Sequence, residues 1–292
     1  MALTEYGPTV VVENPDAVLT RLARVKAALA KHGLSVHPSS RLARLERAHE
    51  LFAAKRLSPA SGPSRELYDL LEGSRDFAEL ALIVEQLLPT TDAQVLRKLR
   101  LALGGASLPG EDAKSLARDT QFELYVAAQC RRAGIPTAIR EPPDSVITPA
   151  GVQLGVAAKR VKTAAQVPKR VREGGHQLKR AGLVGIAALS LDQLVPPDDE
   201  RVAGRTVEEL KPLPRDLIHA IVSKHRVAIT AAAAGTPVLA VRASLVVVAA
   251  VPGENRIGRV SGNYLFAVRR LTRKQHGALL HLVQALGRSV PP

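Results

Sequence analysis

Four polar residues in the middle of the chain could do chemistry together: Glu123, Asp144, Lys159 and Gln177. Carboxylates are the ligands that a hard Mg²⁺-type cation prefers, and such a cation turns a bound water into a nucleophile. A lysine near that water, or near the charge that develops on phosphorus, lowers the barrier electrostatically. Glu123 and Asp144 are therefore candidate ligands for Mg²⁺ or Mn²⁺. Lys159 is the candidate for orienting water or stabilising the transition state, and Gln177 for supporting the site. Each also has an ordinary role: Glu123 as the solvated side of a helix, Asp144 as a turn former after Pro142-Pro143, Lys159 as a strand-end charge, and Gln177 as a helix side chain making routine hydrogen bonds.

The elements around these residues decide whether they can meet. "ARDTQFELYVAAQCRRAG" predicts a helix over roughly 118–133 that carries Glu123, followed by a short strand in "IPTAIREPPD" interrupted by the proline pair. "SVITPAGVQLGVAAKR" reads as two strands turning near Pro149, Ala150 and Gly151, so the start of one, at Asp144, lies beside the end of the other, at Lys159. "TAAQVPKRVREGGHQLKRAG" is an irregular helix with Val167, Val171 and Leu178 on one side. Its Gly174 and Gly175 lower helix propensity and permit close approach of backbone. "LVGIAALSLDQL" is an almost unbroken apolar run, as expected of an internal strand covered on both faces. Helix, three strands, helix and strand in that order predict an α/β fold, a mixed sheet flanked by helices. A helix near 206–225, a Val-rich strand near 237–250, a short "YLFAVRRL" element and a last helix, "TRKQHGALLHLVQAL", extend it. Residues 1–110 predict a helical N-terminal domain, separated by the turn-rich "GGASLPGED" from a second domain over 111–292. A scaffold role suits those first helices, through self-association or a protein partner.

In order and spacing, the four residues resemble the PD-(D/E)XK nuclease superfamily, the restriction-endonuclease-like fold, over roughly residues 118–195. The family's helix acid looks like Glu123 in "QFELYVAA", its metal-binding aspartate like Asp144 in "EPPD", its lysine like Lys159 in "VAAKR" and its glutamine like Gln177 in "GHQLKR". The resemblance implies metal-dependent hydrolysis of phosphodiester bonds, with DNA favoured over RNA. The chain departs from the family at Ala157, where the carboxylate two residues before the lysine is missing. Glu123, Glu141 or Glu173 would have to supply the lost oxygen ligand. The alternative is a catalytically inactive nuclease-fold module that binds DNA or another protein.

Charge points the same way as the resemblance. The 292 residues carry a formal net charge of +14, which attracts polyanions through release of condensed counterions. Aromatic residues are 3% of the chain and tryptophan is absent, so a nucleic-acid surface built on stacked rings is not expected. The candidate phosphate contacts are Arg160, Lys162, Lys169, Arg170, Arg172, His176, Lys179 and Arg180, in a segment with Glu173 as its one acid. No base-reading motif accompanies them. The single cysteine, Cys130, excludes an internal disulfide framework and a cysteine-based zinc site. The apolar stretch 227–253 is interrupted by Gly235, Pro237 and Arg242 and reads as a helix end and a buried strand rather than a membrane span. With no export signal at the start, a cytoplasmic protein without stable membrane association is expected.

Overall fold

The most apolar segments of the second half become the middle of one sheet. In the computed structural model, which describes residues 3–6, 9–57, 64–90, 92–104, 116–196, 199, 202, 205–250 and 256–289, strands β5 (Leu154–Arg160), β6 (Gly185–Ser190) and β7 (Val238–Ala250) run parallel. Every residue of β6 is buried, as the unbroken apolar run requires. Antiparallel strands flank this parallel centre. On one side lie β3 (Thr137–Ile139) and β4 (Ser145–Ile147); on the other, β8 (Ile257–Ala267) pairs with β7. Two short strands, β1 (Leu3–Glu5) and β2 (Thr9–Glu13), share the outer edge of β8, giving eight strands in the order β1-β8-β7-β6-β5-β4-β3 with β2 beside β8.

Helices cover both faces. α6 (Val167–Arg180), α7 (Val207–Leu210) and α8 (Leu213–Ala233) bury Val171, Leu178 and Ile218 against Val241 and Phe266 on one face. On the other, α5 (Leu116–Arg132) and α9 (Arg273–Arg288) bury Phe122, Val126 and Leu282 against Leu154 and Val156. α1 (Pro15–Lys31), α2 (Arg41–Ala53), α3 (Arg65–Leu87) and α4 (Ala93–Ala102) pack with α5 around Leu22, Leu45, Phe77, Ile83 and Leu99. Local chemistry starts these helices: Asn14, Ser40, Ser64 and Asp92 each accept a hydrogen bond from a first-turn N–H.

Two sequence expectations change. Residues 3–5 and 9–13, within the segment read as helical, are strands of the same sheet, where the β-branched "TVVVE" pairs with β8. "YLFAVRRL" contains the end of an eleven-residue strand. α3 runs unbroken through Gly73, where an added Cβ would lie 2.8 Å from Leu45 Cδ1. The seam expected at 104–112 lies, beyond Gly104, outside the described residues. The 227–253 stretch divides into the end of α8 and β7, and among the described residues no helix is long and apolar enough to cross a membrane.

The glycine pair of α6 lets the helix lie close against its neighbours. A Cβ on Gly174 would lie 3.3 Å from Ala157 Cβ, and one on Gly175 would lie 2.6 Å from Thr236 Cβ. Thr236 is buried and its hydroxyl is held by the Ala233 carbonyl, so it cannot swing clear. Gly175→Ala is expected to lose about 1–3 kcal/mol through overpacking despite alanine's better helix propensity. Urea denaturation of the two proteins measures the difference; an unchanged or raised midpoint would show that α6 has room to move.

Candidate functional site

The β4–β5 hairpin brings the predicted pair together. Ala150 and Gly151, at φ 48° and 74°, close the turn between the strands. β4 and β5 then align Ser145 with Val156, which places Asp144 beside the far end of β5. Asp144 is 2% exposed, and its Oδ2 accepts the Ala158 N–H at 2.7 Å and the Lys159 ammonium at 3.4 Å. Gln177 donates from α6 to Asp144 Oδ1 at 3.4 Å, and its own Oε1 is buried without a hydrogen-bond partner. Three of the four residues expected to form the site therefore meet directly.

Glu123 approaches from α5. Burial pushes its carboxyl above the ordinary value of 4.5 and the nearby Asp144 charge adds to that, opposed by Lys98 and Lys159. Lys98 is the residue that sequence reasoning missed. Its ammonium bonds Glu123 Oε2 at 2.7 Å and lies 3.8 Å from Glu141 Oε2, with its side chain only 4% exposed. A signal was present, because Lys98 shares the buried face of α4 with Val95, Leu99 and Ala102.

Of the three proposed substitutes, neither Glu141 nor Glu173 fills the gap at Ala157. Alternation along β5 puts Ala157 and Lys159 towards α6, with Leu154, Val156 and Ala158 on the opposite face. Ala157 is fully buried beneath Gly174, so a longer side chain there would have to displace the helix. Glu141 is paired with Arg97 at 3.4 Å, and Glu173 with Arg170 at 2.7 Å. Among the described residues, no three or more His, Cys, Asp or Glu side chains are grouped to hold a metal ion. The two interacting carboxylates, Glu123 and Asp144, still match the smallest protein set used by Mg²⁺, which keeps several waters and takes one or two carboxylates plus substrate phosphate. A cation there must replace Lys98 as the countercharge to Glu123.

Of the expected phosphate contacts, Arg160 must be corrected. It is 3% exposed and points away from α6, because it follows Ala158 on the α5 face of β5. Its guanidinium bonds Glu79 at 2.6 Å, Asp192 at 3.5 Å and the Arg118 carbonyl at 3.0 Å, and lies over the Phe122 ring. Lys162 is exposed just before α6; Lys169, Arg172, His176 and Lys179 form an exposed stripe along it, with Arg180 beside them. Arg170 is half-buried in its pair with Glu173. Lys159, Glu173, His176, Gln177 and Arg180 line an open groove at this edge, which joins the charged cluster to the basic helix. Cys130 is buried in α5, where burial pushes its thiol up to about 11, and takes no part.

The Lys98–Glu123 pair has a pH signature. A carboxyl whose folded value is raised favours the folded state when protonated, so its contribution is full below 4.5 and is lost as pH rises through the raised value. Lys98→Met removes the countercharge and should deepen that loss, costing about 3 kcal/mol at pH 8 and much less near pH 4.5. Adding Glu123→Gln should restore most of the stability at pH 8. Denaturant titrations at the two pH values check this, and an equal cost at both would mean that Glu123 does not sense Lys98.

Comparison with known proteins returned no match among family models, curated proteins or solved structures. The functional reading therefore rests on the residues and geometry of this chain.

Proposed function

We propose that the chain is a metal-dependent nuclease of restriction-endonuclease-like fold that hydrolyses phosphodiester bonds, with DNA the favoured substrate. The observation that carries this reading is the meeting of Asp144, Lys159 and Gln177, with Glu123 in electrostatic reach, at a groove bordered by the basic face of α6. Mg²⁺ or Mn²⁺ held by Glu123 and Asp144 would supply Lewis-acid polarisation and an activated water. Lys159 offers a partly exposed ammonium to charge developing on the scissile phosphate. The unpartnered Gln177 Oε1 can accept a hydrogen bond from water entering the groove. Lys169, Arg172, His176 and Lys179 would hold the backbone without reading sequence.

A second reading, a nucleic-acid-binding module without catalysis, is favoured by one specific observation. The Lys98–Glu123 ion pair already neutralises the second carboxylate, and Ala157 adds none.

Incubation of the full chain with linear, circular and single-stranded DNA and with RNA, with and without Mg²⁺ or Mn²⁺, separates the two readings. The nuclease reading expects metal-dependent products that fall about 100-fold or more in Asp144→Asn and in Lys159→Met. Absence of product from every substrate, or full activity in both variants, rejects it. Binding supplies the second measurement. Charge reversal at Arg172 and Lys179 should weaken duplex binding and flatten its dependence on log salt by about two units. If catalysis fails while this salt-sensitive binding is observed, the binding module is the correct reading.

A further inference from the structure

One stretch of the sheet interior is polar where the rest is apolar. On the face towards α3 and α5, β7 places Arg242, Ser244 and Val246 opposite Leu265, Asn263 and Ser261 of β8, with Arg259 one pair further along. Leu265 at one end joins the core under α9, and Val248 and Ile257 at the other join the core under α2 and α3. Between these two apolar patches lies a cavity of about 310 Å³. Small-molecule sites start at about 300 Å³.

Arginine dominates the lining. Arg21, Arg75, Arg132, Arg242 and Arg259 face the cavity against two glutamates, Glu13 and Glu79. Most of these charges are paired. Arg259 bonds Glu13 at 2.7 Å, Arg21 bonds Glu85 at 3.1 Å, Arg75 is paired with Glu72, and Glu79 is held by Arg160. Arg132 is exposed to solvent, which leaves Arg242 as the buried exception. Arg242 is 4% exposed and makes no ion pair among the described residues; its partners are the neutral oxygens of Gln129 and Asn263 and the face of the Tyr6 ring. Its Nε has no hydrogen-bond partner. A buried guanidinium needs an anion to offset its desolvation, and its planar fork suits the paired oxygens of a phosphate.

We propose that this cavity is a binding site for a small phosphorylated molecule, from inorganic phosphate up to a mononucleotide, whose phosphate docks on Arg242. Asn263, Ser261 and Gln129 supply neutral hydrogen-bonding groups around it, and the exposed Arg132 and half-exposed Arg21 form an entrance that draws anions in. The excess of arginine over glutamate favours a dianion, and the single fork of Arg242 favours phosphate, with its charge on one group, over two separated carboxylates. None of Asp144, Lys159 and Gln177 lines this cavity, so the proposal does not depend on the nuclease reading.

Isothermal titration of the full chain at physiological salt with inorganic phosphate, AMP and succinate tests it. One saturable site for phosphate or AMP is expected, whichever is tighter identifying the source, with succinate at least about tenfold weaker. Arg242→Met should weaken that binding by about thirtyfold or more while keeping the fold, since it removes an unpaired buried charge. Ser261→Leu narrows the cavity without touching Arg242 and should weaken binding similarly, so it decides the matter if Arg242→Met fails to fold. An Arg172→Glu, Lys179→Glu double variant on α6 should keep the site. No saturable binding of either phosphate compound, succinate binding as tightly, undiminished binding in the folded Arg242 or Ser261 variant, or a loss confined to the α6 variant would each overturn the assignment.

Discussion

The packing of helices on this sheet depends on a buried chain of charges centred on α3. Asp76 accepts from Arg41 of α2 at 2.9 Å and from Arg118 of α5, while its carbonyl accepts from Gln121 at 3.0 Å. One turn on, Glu79 accepts from Gln121 at 2.7 Å and from Arg160 of β5 at 2.6 Å. Arg160 also reaches Asp192, which follows β6 and accepts from the Val246 N–H of β7 at 2.7 Å. Burial pushes the Asp76 carboxyl up, but the surrounding arginines, led by Arg118 and Arg41, outweigh it and hold the group well below the usual carboxylate range. A charge buried in such company is costly to strand, so sliding any one helix would leave an uncompensated ion. The network thus fixes the register of α2, α3 and α5 against β5, β6 and β7 more sharply than interchangeable apolar contacts could.

That register is also what presents the candidate site. β5 is held from one face by Arg160 and presents Lys159 on the other, so adjacent residues do opposite jobs because side chains alternate along a strand. α5 does the same around its circumference. Arg118 and Gln121 turn into the network, while Glu123 reaches Lys98 and the field of Asp144. The positions of Glu123 and Lys159 are therefore both anchored by charges that take no part in the chemistry proposed for them. Gly174 and Gly175 complete the arrangement by letting α6 lie close enough for Gln177 to reach Asp144.

What could be read from the sequence was local or nearly so. Asp144 and Lys159 are fifteen residues apart across one hairpin, and turn chemistry together with strand alternation was enough to bring them together. The glycine pair, the buried strand β6 and the order of elements from α5 to β6 were legible for the same reason. The misreadings came from distant partners. Arg160 looked like one more cation in a basic run because Glu79 lies 81 residues away and Asp192 lies 32 away. The first strands looked like a prelude to helices because their partner, β8, is near the other end of the chain. Lys98 sat on an apolar helix face, but a buried lysine becomes interpretable only once Glu123 is seen opposite it.

Ala157 and Lys98 are best understood as one change in local charge. A carboxylate at 157 would have made the site anionic; instead, Glu123 and Asp144 face Lys98 and Lys159, and these four charges cancel. On the nuclease reading, a divalent cation entering this balanced cluster leaves it with two excess positive charges, which weakens binding in the free protein. An approaching phosphodiester removes part of that excess, and the exposed cations of α6 concentrate such groups at the groove. Cation and nucleic acid would then bind more tightly together than apart, each strengthening the other by the same factor. On the binding-module reading, Lys98 keeps Glu123, and nucleic-acid affinity is indifferent to Mg²⁺ beyond ordinary ionic screening. The two readings thus differ in thermodynamics before any bond is cut, and the difference traces to a missing acid on β5 and a buried lysine on α4.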